Sequence, residues 1–220
     1  MRIILLALIF AVPVFAQMEG NPENFCREGF FTGDSQDFKI GKVKAARIFF
    51  HSDDREDCPE AASCRRKAYL VPGNEVIVNR VRSGFTCAWY SPIQGNPTVG
   101  WLRVSDLSIS DSPKINGTKP WLGEWVFEEN GIEFTDNKLA GFLNVTGNAT
   151  WKGLGDNVHV GEIDGRYEPV NGTINYSDGD DEYDCKIKMR LLGGYLIVAD
   201  NLKCGGVNVT FSGVYTRRKK

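Results

Sequence analysis

The stretch Cys185-Lys-Ile-Lys-Met-Arg-Leu-Leu-Gly-Gly-Tyr-Leu-Ile-Val-Ala-Asp200 decides the fold of this chain. In its first seven residues, Cys, Ile, Met and Leu alternate with three basic residues, which is the period-two pattern of a strand with one apolar face. Gly193-Gly194 then provides a tight turn, and an apolar run follows over 195–200. The stretch therefore predicts a β-hairpin between strands 186–191 and 195–200.

The same alternation continues on both sides of this hairpin. Leu139, Leu143 and Val145 share one face of an earlier segment, and Val207, Val209 and Phe211 are expected to face inwards from a later one. Because each segment has one apolar face, an antiparallel up-and-down β-barrel of about eight strands is the simplest way to bury them. The predicted strands of this second block, which spans 121–220, are 123–128, 131–135, 140–146, 158–163, 172–176, 186–191, 195–200 and 207–216.

A polar segment divides the chain at 110–120. It reads Ser110-Asp-Ser-Pro-Lys-Ile-Asn-Gly-Thr-Lys-Pro120 and has no periodicity, which is typical of a linker. The block before it, 17–109, is also rich in short predicted strands, and their spacing favours a small barrel or sandwich. The chain is therefore predicted to be all-β with two domains. The strands predicted in the first block are 45–51, 68–71, 75–81, 86–91 and 98–103.

Three motifs follow one another in the first block. Ala68-Tyr-Leu-Val-Pro-Gly-Asn-Glu-Val-Ile-Val78 places a glycine turn before a Val-x-Val strand, and Phe85-Thr-Cys-Ala-Trp-Tyr90 is a strand that carries both Cys and Trp. Val99-Gly-Trp-Leu102 then precedes an Asp106-Leu107 end. This order resembles that of bacterial SH3-like domains and covers about 45–109. The resemblance implies a small SH3-like barrel that binds peptides or cell-wall fragments on an aromatic surface.

Two features limit or extend that resemblance. The loop between Cys58 and Cys64 is an elaboration that departs from the SH3-like pattern. In the second block, the opening Trp121-Leu-Gly-Glu-Trp125 is similar to the Gly-x-Trp start of lipocalin- and avidin-like barrels. This similarity implies that the second block forms a closed barrel.

The chain contains six cysteines, an even number that favours disulfides. If the two halves are separate domains, Cys185 must pair with Cys204. Cys58 and Cys64 flank a short loop and are predicted to pair, which leaves Cys26 with Cys87. A zinc site would need closer CxxC-type pairs, which the sequence lacks, so no metal site is predicted.

The first 16 residues, MRIILLALIFAVPVFA, have the pattern of a secretory signal. Arg2 is followed by an apolar run over 3–12, and small residues stand at 14 and 16 before a cleavage site at Gln17. The run is too short for a membrane span. We therefore predict a secreted protein of the bacterial periplasm, without a membrane anchor, in a compartment where cysteines form disulfides.

Charge and motifs exclude several function classes. The formal net charge is −2 and neither half is basic, so nucleic acid is not an expected partner. His51 and His159 stand far apart in no metal or triad pattern, and no nucleophile elbow or phosphate-binding loop is present. The sequence therefore predicts a protein that is not an enzyme and that uses no cofactor.

Two polar patterns remain open to more than one interpretation. Asp178-Gly-Asp-Asp-Glu-Tyr-Asp184 concentrates carboxylates but lacks the EF-hand positions, so it is either a calcium loop or a solvated turn. Six Asn-x-Ser/Thr sequons are either glycan acceptors or the result of polar residues alternating on the outer faces of strands, and we favour the second interpretation. The sequons begin at Asn116, Asn144, Asn148, Asn171, Asn175 and Asn208.

The aromatic residues of the first block are the candidate ligand-binding residues. Trp101 follows Gly100 in a closing strand and is expected in the core. Trp89 and Tyr90 are adjacent in a strand and point to opposite faces, so whichever faces out is expected to contact the ligand. Tyr69, on a neighbouring strand, is expected beside it.

These observations together predict a secreted bacterial binding protein. Its SH3-like module would engage peptidoglycan peptides or a periplasmic or extracellular protein partner. One alternative is an inhibitor or immunity-type protein that blocks a cell-wall hydrolase with a rigid, disulfide-stapled barrel. Another is a carboxylate-dependent hydrolase that uses Asp54, Glu56 and the carboxylates of 178–184.

Overall fold

The computed structural model describes residues 21–33, 37–93, 95–111 and 115–218, so the predicted signal sequence 1–16 lies outside the described residues. Within these ranges the chain is all-β, as predicted, and its strands form two antiparallel sheets. No helix in the described part is long and apolar enough to cross a membrane. Among the residues that the structure describes, the helical elements are α1 (Glu28–Phe31) and the 3-10 turns Pro22–Asn24, Ala62–Cys64 and Val104–Asp106.

The first sheet has seven strands and contains every strand predicted before the linker. These are β1 (Lys39–Val43), β2 (Ile48–His51), β3 (Arg65–Leu70), β4 (Glu75–Arg82), β5 (Phe85–Tyr90), β6 (Thr98–Arg103) and β7 (Leu107–Ser110). Their spatial order is β3-β2-β6-β5-β4-β1-β7. The resemblance to an SH3-like domain stays a prediction for this half.

The second sheet has eight strands and forms the predicted up-and-down barrel. In the spatial order β11-β10-β9-β8-β15-β14-β13-β12, every pair of consecutive strands except β11 and β12 is hydrogen-bonded, and the first strand, β8, pairs with the last, β15. The strands are β8 (Gly123–Phe127), β9 (Asn130–Asp136), β10 (Leu143–Lys152), β11 (Val158–Tyr167), β12 (Thr173–Ser177), β13 (Lys186–Leu192), β14 (Tyr195–Asp200) and β15 (Gly213–Arg217).

The barrel is nearly closed, and its seam lies between β11 and β12. A side chain bridges the seam where the backbone ladder is interrupted. The Tyr167 hydroxyl donates to the Ser177 carbonyl oxygen at 2.7 Å and accepts from the Ser177 N–H at 3.3 Å. One phenol therefore satisfies both backbone groups of Ser177 at the seam.

The barrel interior is filled with side chains. Each strand contributes alternate residues to one apolar cluster, in which Trp121, Trp125, Phe134, Phe211 and Tyr215 are the largest members and are fully buried. The indole N–H of Trp125 donates to the Trp121 carbonyl oxygen at 2.8 Å. Burial of alternate residues is the pattern that the sequence predicts for a barrel of this size.

Strands β4 to β6 differ because both of their faces are buried. One face packs against the core of the first sheet, to which Val76, Val78 and Leu102 contribute. Residues on the opposite face belong to a second cluster, whose members from the barrel half are Leu192, Ile197 and Val214. The two halves of the chain therefore share one apolar cluster across the polar segment at 110–120. Its members from the first half include Cys26, Phe31, Phe38, Ile77, Phe85, Trp89, Val99 and Trp101.

The segment before β1 is fixed within this shared cluster. Cys26 forms a disulfide with Cys87, and its N–H donates to the buried Asp53 carboxylate at 2.7 Å. Arg27 donates to the same carboxylate at 3.0 Å. Trp101 is fully buried, as predicted, and its indole N–H is satisfied by the Asn24 carbonyl oxygen at 2.8 Å.

All three predicted disulfides are confirmed. The sulfur atoms of Cys26 and Cys87, of Cys58 and Cys64, and of Cys185 and Cys204 are at bonding distance. The last pair lies within the barrel half, as the argument from separate halves requires.

Three details of the predicted barrel strands are wrong. Leu139 is half exposed in a turn, because β10 begins only at Leu143. Val207 is 71% exposed, because the segment before β15 is irregular and Asn208 has a positive φ of 67°. The alternation of His159 with Val158 and Val160 in the sequence predicts that His159 points outwards, but its ring packs on Trp151 at 5.2 Å, and the two valines are the exposed residues of that stretch.

Candidate ligand groove

The structure separates the three aromatic residues predicted to bind a ligand. Tyr69 is 47% exposed, whereas Tyr90 is half-buried against the core of the first sheet. Trp89 is 2% exposed, because its face is covered by the barrel half, where its ring meets Tyr195 edge-on at 5.5 Å. Of the three residues, only Tyr69 therefore lies on an open surface.

Beside Tyr69, an open groove of about 630 Å³ runs across one end of the first sheet. We call it the arginine groove. Residues of β2, the start of β3 and the end of β6 line it, together with the turn at 62–64 and Asp106. The lining residues are Arg47, Ile48, Phe49, His51, Ala62, Ser63, Arg65, Arg103 and Asp106.

Aromatic rings hold the guanidinium groups of this groove in place. Arg47 stacks over Tyr69 at 4.3 Å and Arg65 over Phe49 at 4.3 Å, while Arg103 lies 5.7 Å from the ring centre of Phe85. Phe49 and Tyr69 are cross-strand partners of β2 and β3, with ring centroids 5.7 Å apart. Because a stacked guanidinium keeps its N–H edge free, such an arrangement leaves donors available to a ligand.

His51 lies buried among the arginines. It pairs with Arg65 across β2 and β3, its ring is 4.9 Å from that of Phe85, and Nδ1 is 2.8 Å from the Pro59 carbonyl oxygen. Burial lowers the pKa of His51 below its usual value, and the positive charges of Arg103 and Arg65 lower that pKa further.

The disulfide loop 58–64 forms one wall of the groove. Its turn is tied to β2 by the bond from the Ser52 N–H to the Cys64 carbonyl oxygen, at 2.8 Å. Arg55 donates to the Ser63 hydroxyl and pairs with Asp57 at 3.2 Å. The departure from the SH3-like pattern is therefore part of the candidate site itself.

Gly100 explains why β2 can approach β6 so closely at the base of this site. A Cβ atom at position 100 would lie 3.1 Å from the His51 carbonyl oxygen and 3.3 Å from the Phe50 ring. His51 then reaches the register position opposite Trp101. The Gly-Trp motif thus brings His51 next to the strand that carries Arg103.

The other polar candidates have structural partners. Asp54 accepts from the Ser52 hydroxyl at 2.6 Å, which lowers its pKa, and Glu56 is exposed. Within 178–184, Asp184 accepts from the Asp181 N–H and Asp181 from the Tyr183 N–H, as in a hydrogen-bonded turn. Asp57 lies close to Cys58 and Cys64, but both sulfurs are in the disulfide and are poor metal ligands in that state.

The sequons lie on the barrel half and in the segment that leads into it. Asn144 is half-buried, and the other five asparagines are exposed. The sequons at Asn144, Asn148 and Asn175 fall in β10 and β12, where alternation explains them. Those at Asn116, Asn171 and Asn208 begin outside strands, so alternation does not explain them.

A second groove, of about 480 Å³, crosses the outer face of β8 to β11. Its rim carries four carboxylates, those of Glu124, Glu133, Glu162 and Asp164, and its lining includes Gly131 and Gly147. Arg218 pairs with Glu124 at 3.0 Å at one end. The barrel thus presents an acidic outer face, in contrast to the basic groove of the first sheet.

Comparison with known proteins gives no further assignment. No family model, no curated protein and no solved structure matches this chain. The functional assignment of the groove is therefore argued from its geometry alone.

Sequence reasoning identified Tyr69 and missed Arg47, Phe49, Arg65 and Arg103. Arg47 directly precedes β2, Phe49 lies in β2, and Arg65 and Arg103 lie at the ends of β3 and β6, so their proximity becomes visible only when strand order is known. The alternation of Arg47 and Phe49 within the predicted strand 45–51 is the one feature that could have indicated an arginine–aromatic surface.

Proposed function

We propose that this chain is a secreted binding protein whose first sheet engages peptides of the bacterial cell wall in the arginine groove. The observation that carries the proposal is the open groove with three arginines held over aromatic rings. A groove of this volume suits a ligand of a few residues. Stem peptides of peptidoglycan are short, carry carboxylates and are found in the periplasm, which is the compartment that the signal sequence and disulfides favour.

Three features of the surroundings support a binding role. The groove is open to solvent, its wall is stapled by Cys58–Cys64, and it adjoins β6, a strand that is buried on both faces. Such a site is rigid before the ligand arrives, which reduces the entropy cost of binding. The resemblance of 45–109 to SH3-like domains adds a family precedent for peptide or wall-fragment binding.

Capture on purified insoluble peptidoglycan tests the proposal. We expect the mature protein to sediment with the polymer, and Tyr69→Ala to reduce the bound fraction several-fold, because Tyr69 supplies exposed ring area and supports Arg47. Tyr183→Ala is the matched control, since Tyr183 is 70% exposed in the 178–184 loop of the barrel half and lies outside the groove. Both variants should fold, because exposed substitutions usually change stability by within ~0.5 kcal/mol. No sedimentation of the wild type, or equal loss in both variants, would contradict the proposal.

The second candidate is an inhibitor or immunity-type protein that blocks a cell-wall hydrolase. The acidic outer face of β8 to β11 favours it, because opposite charge speeds association with a basic enzyme. Mixing the mature protein with a basic muramidase and measuring the clearing of wall suspensions tests this candidate. Inhibition that Glu133→Gln weakens and Tyr69→Ala leaves intact would support the inhibitor and contradict the peptide-binding role of the groove.

A further inference from the structure

The side chains of Arg47, Arg65 and Arg103 have no ion pair and no hydrogen bond within the described part of the chain. Elsewhere arginines do find such partners, as Arg27 does with Asp53 and Arg218 with Glu124. The three guanidinium groups of the groove contact aromatic rings instead. Their N–H donors therefore remain available to a ligand that accepts hydrogen bonds and carries negative charge.

Two of these arginines flank one position. Arg65 is the register partner of His51, and Arg103 is the register partner of Phe85. The rings of His51 and Phe85 lie 4.9 Å apart, so the two register pairs are adjacent, and both arginines line the same groove as His51. Because Nδ1 of His51 is engaged by the Pro59 carbonyl oxygen, the imidazole is held in place beside these two pairs.

We infer that the arginine groove selects its ligand by a free carboxylate, which Arg65 and Arg103 bind above His51, and that it rejects the corresponding amide. This inference rests on the proposed function, because it concerns the same groove, and it names the chemical group that is recognised. A carboxylate offers two coplanar acceptor oxygens, which match the fork of a guanidinium. A carboxamide replaces one acceptor with a donor that would face the N–H groups of an arginine.

The aromatic rings of the groove suit the rest of such a ligand. Phe49 and Tyr69 lie 5.7 Å apart, and their exposed parts suit the apolar groups of a short peptide. A peptide whose carboxylate reaches Arg65 would place its neighbouring residue near Phe49, because the Arg65 guanidinium lies 4.3 Å from the centre of that ring.

Calorimetric titration with three synthetic ligands tests the inference on the full mature protein. The first is the stem tetrapeptide L-Ala-γ-D-Glu-L-Lys-D-Ala as the free acid, and the second is the same peptide with both carboxyl groups amidated. The third is a short oligo-glutamate peptide, which carries carboxylates but no wall chemistry. We expect the free acid to bind about tenfold to a hundredfold more tightly than the amide, which is the worth of hydrogen bonds to a charged partner.

Two variants locate the binding group. Arg65→Gln and Arg103→Gln each remove one guanidinium, and each should remove most of the preference for the free acid. Arg166→Gln is the matched control, because Arg166 is an exposed arginine of the barrel whose guanidinium lies 5.8 Å from the Phe142 ring. The control should keep the wild-type preference, and the comparison of acid with amide on the wild-type protein needs no variant to fold.

The outcomes separate this inference from the proposed function. Equal, measurable binding of the acid and the amide overturns carboxylate selection while leaving wall-peptide binding intact. Binding of oligo-glutamate that depends on Arg65, without binding of either stem peptide, supports carboxylate selection and overturns the wall-peptide proposal. Displacement of the free acid by a glycerol phosphate polymer at lower concentration than by oligo-glutamate assigns the site to phosphate and overturns carboxylate selection.

Discussion

His51 is a buried histidine whose ring contacts Phe85 and the Pro59 carbonyl oxygen, and its burial makes protonation unfavourable. Burial is the larger cause of its lowered pKa, and the charges of Arg103 and Arg65 add to it. The neutral ring can still donate from Nδ1 to the Pro59 carbonyl oxygen. The folded state therefore stabilises the neutral imidazole at a position where the unfolded chain would titrate normally.

This environment predicts a pH dependence of stability. Because the folded pKa lies below the unfolded value of about 6.5, the unfolded chain binds more protons in the window between the two values. The free energy of unfolding is therefore expected to be constant above this window and to fall as the pH drops below about 6.5. Urea titrations at a series of pH values measure this slope.

His51→Gln should flatten that slope, since it removes the titrating group and keeps a side chain that can hydrogen-bond to Pro59. His159→Gln, which removes a histidine from the barrel half, should keep the wild-type slope. A His51→Gln variant with the wild-type slope would show that acid sensitivity arises elsewhere.

Among the structural elements, the two short disulfide loops have different tasks. Cys185–Cys204 closes a span of 19 residues within the barrel half, whereas Cys58–Cys64 closes only 6 residues and forms a wall of the arginine groove. In the chain-entropy model the longer span stabilises more, by roughly 3 kcal/mol against about 2 kcal/mol. The shorter loop contributes more to the shape of the site.

Double substitutions to Ala separate these tasks. Removing Cys185 and Cys204 should lower the free energy of unfolding by roughly 3 kcal/mol and leave peptidoglycan capture at low denaturant unchanged. Removing Cys58 and Cys64 should cost less stability and reduce capture, because Ala62 and Ser63 lose their fixed position. Each variant serves as the control for the other, and equal effects on both measurements would contradict the assignment of the loop to the groove.

How far the sequence predicts each element depends on what covers its faces. The hairpin of β13 and β14 and the up-and-down order of the barrel follow from period-two alternation with one buried face. β1 and β7 were missed, because Lys39-Ile-Gly-Lys-Val43 is short and polar and Leu107-Ser-Ile-Ser110 borders the predicted linker. Trp89 is predicted as a ligand contact because no local pattern shows what buries it. The residue that packs on it, Tyr195, lies more than a hundred residues away in the chain.

In the whole molecule, the shared apolar cluster joins two halves that the sequence presents as separate. Leu192, Ile197 and Val214 pack with residues of β4 to β6 and of the segment before β1. Ile115, within the polar segment 110–120, packs against the barrel core. The contact between the two halves is therefore made by their cores.

Limited proteolysis tests this arrangement. The first cuts are still expected within 110–119, because the segment is polar and its described residues after 110 lie outside the strands. The nicked protein should elute as one species under native conditions, since separation would expose Leu192, Ile197 and Trp89 to water. It should divide into two fragments only in denaturant. Fragments that separate in buffer and each keep the circular dichroism of a folded sheet would contradict the shared cluster.

The shared cluster also sets an order of events while the chain is made. Synthesis delivers the first sheet well before residues 192–214 exist, so the outer face of β4 to β6 has no cover during that interval. The nascent chain consequently exposes an apolar surface, which must be covered by a chaperone if aggregation with other copies is to be avoided. The first sheet is buried on its second face only after the last strands of the barrel have been synthesised. Formation of these strands therefore completes the packing of both halves.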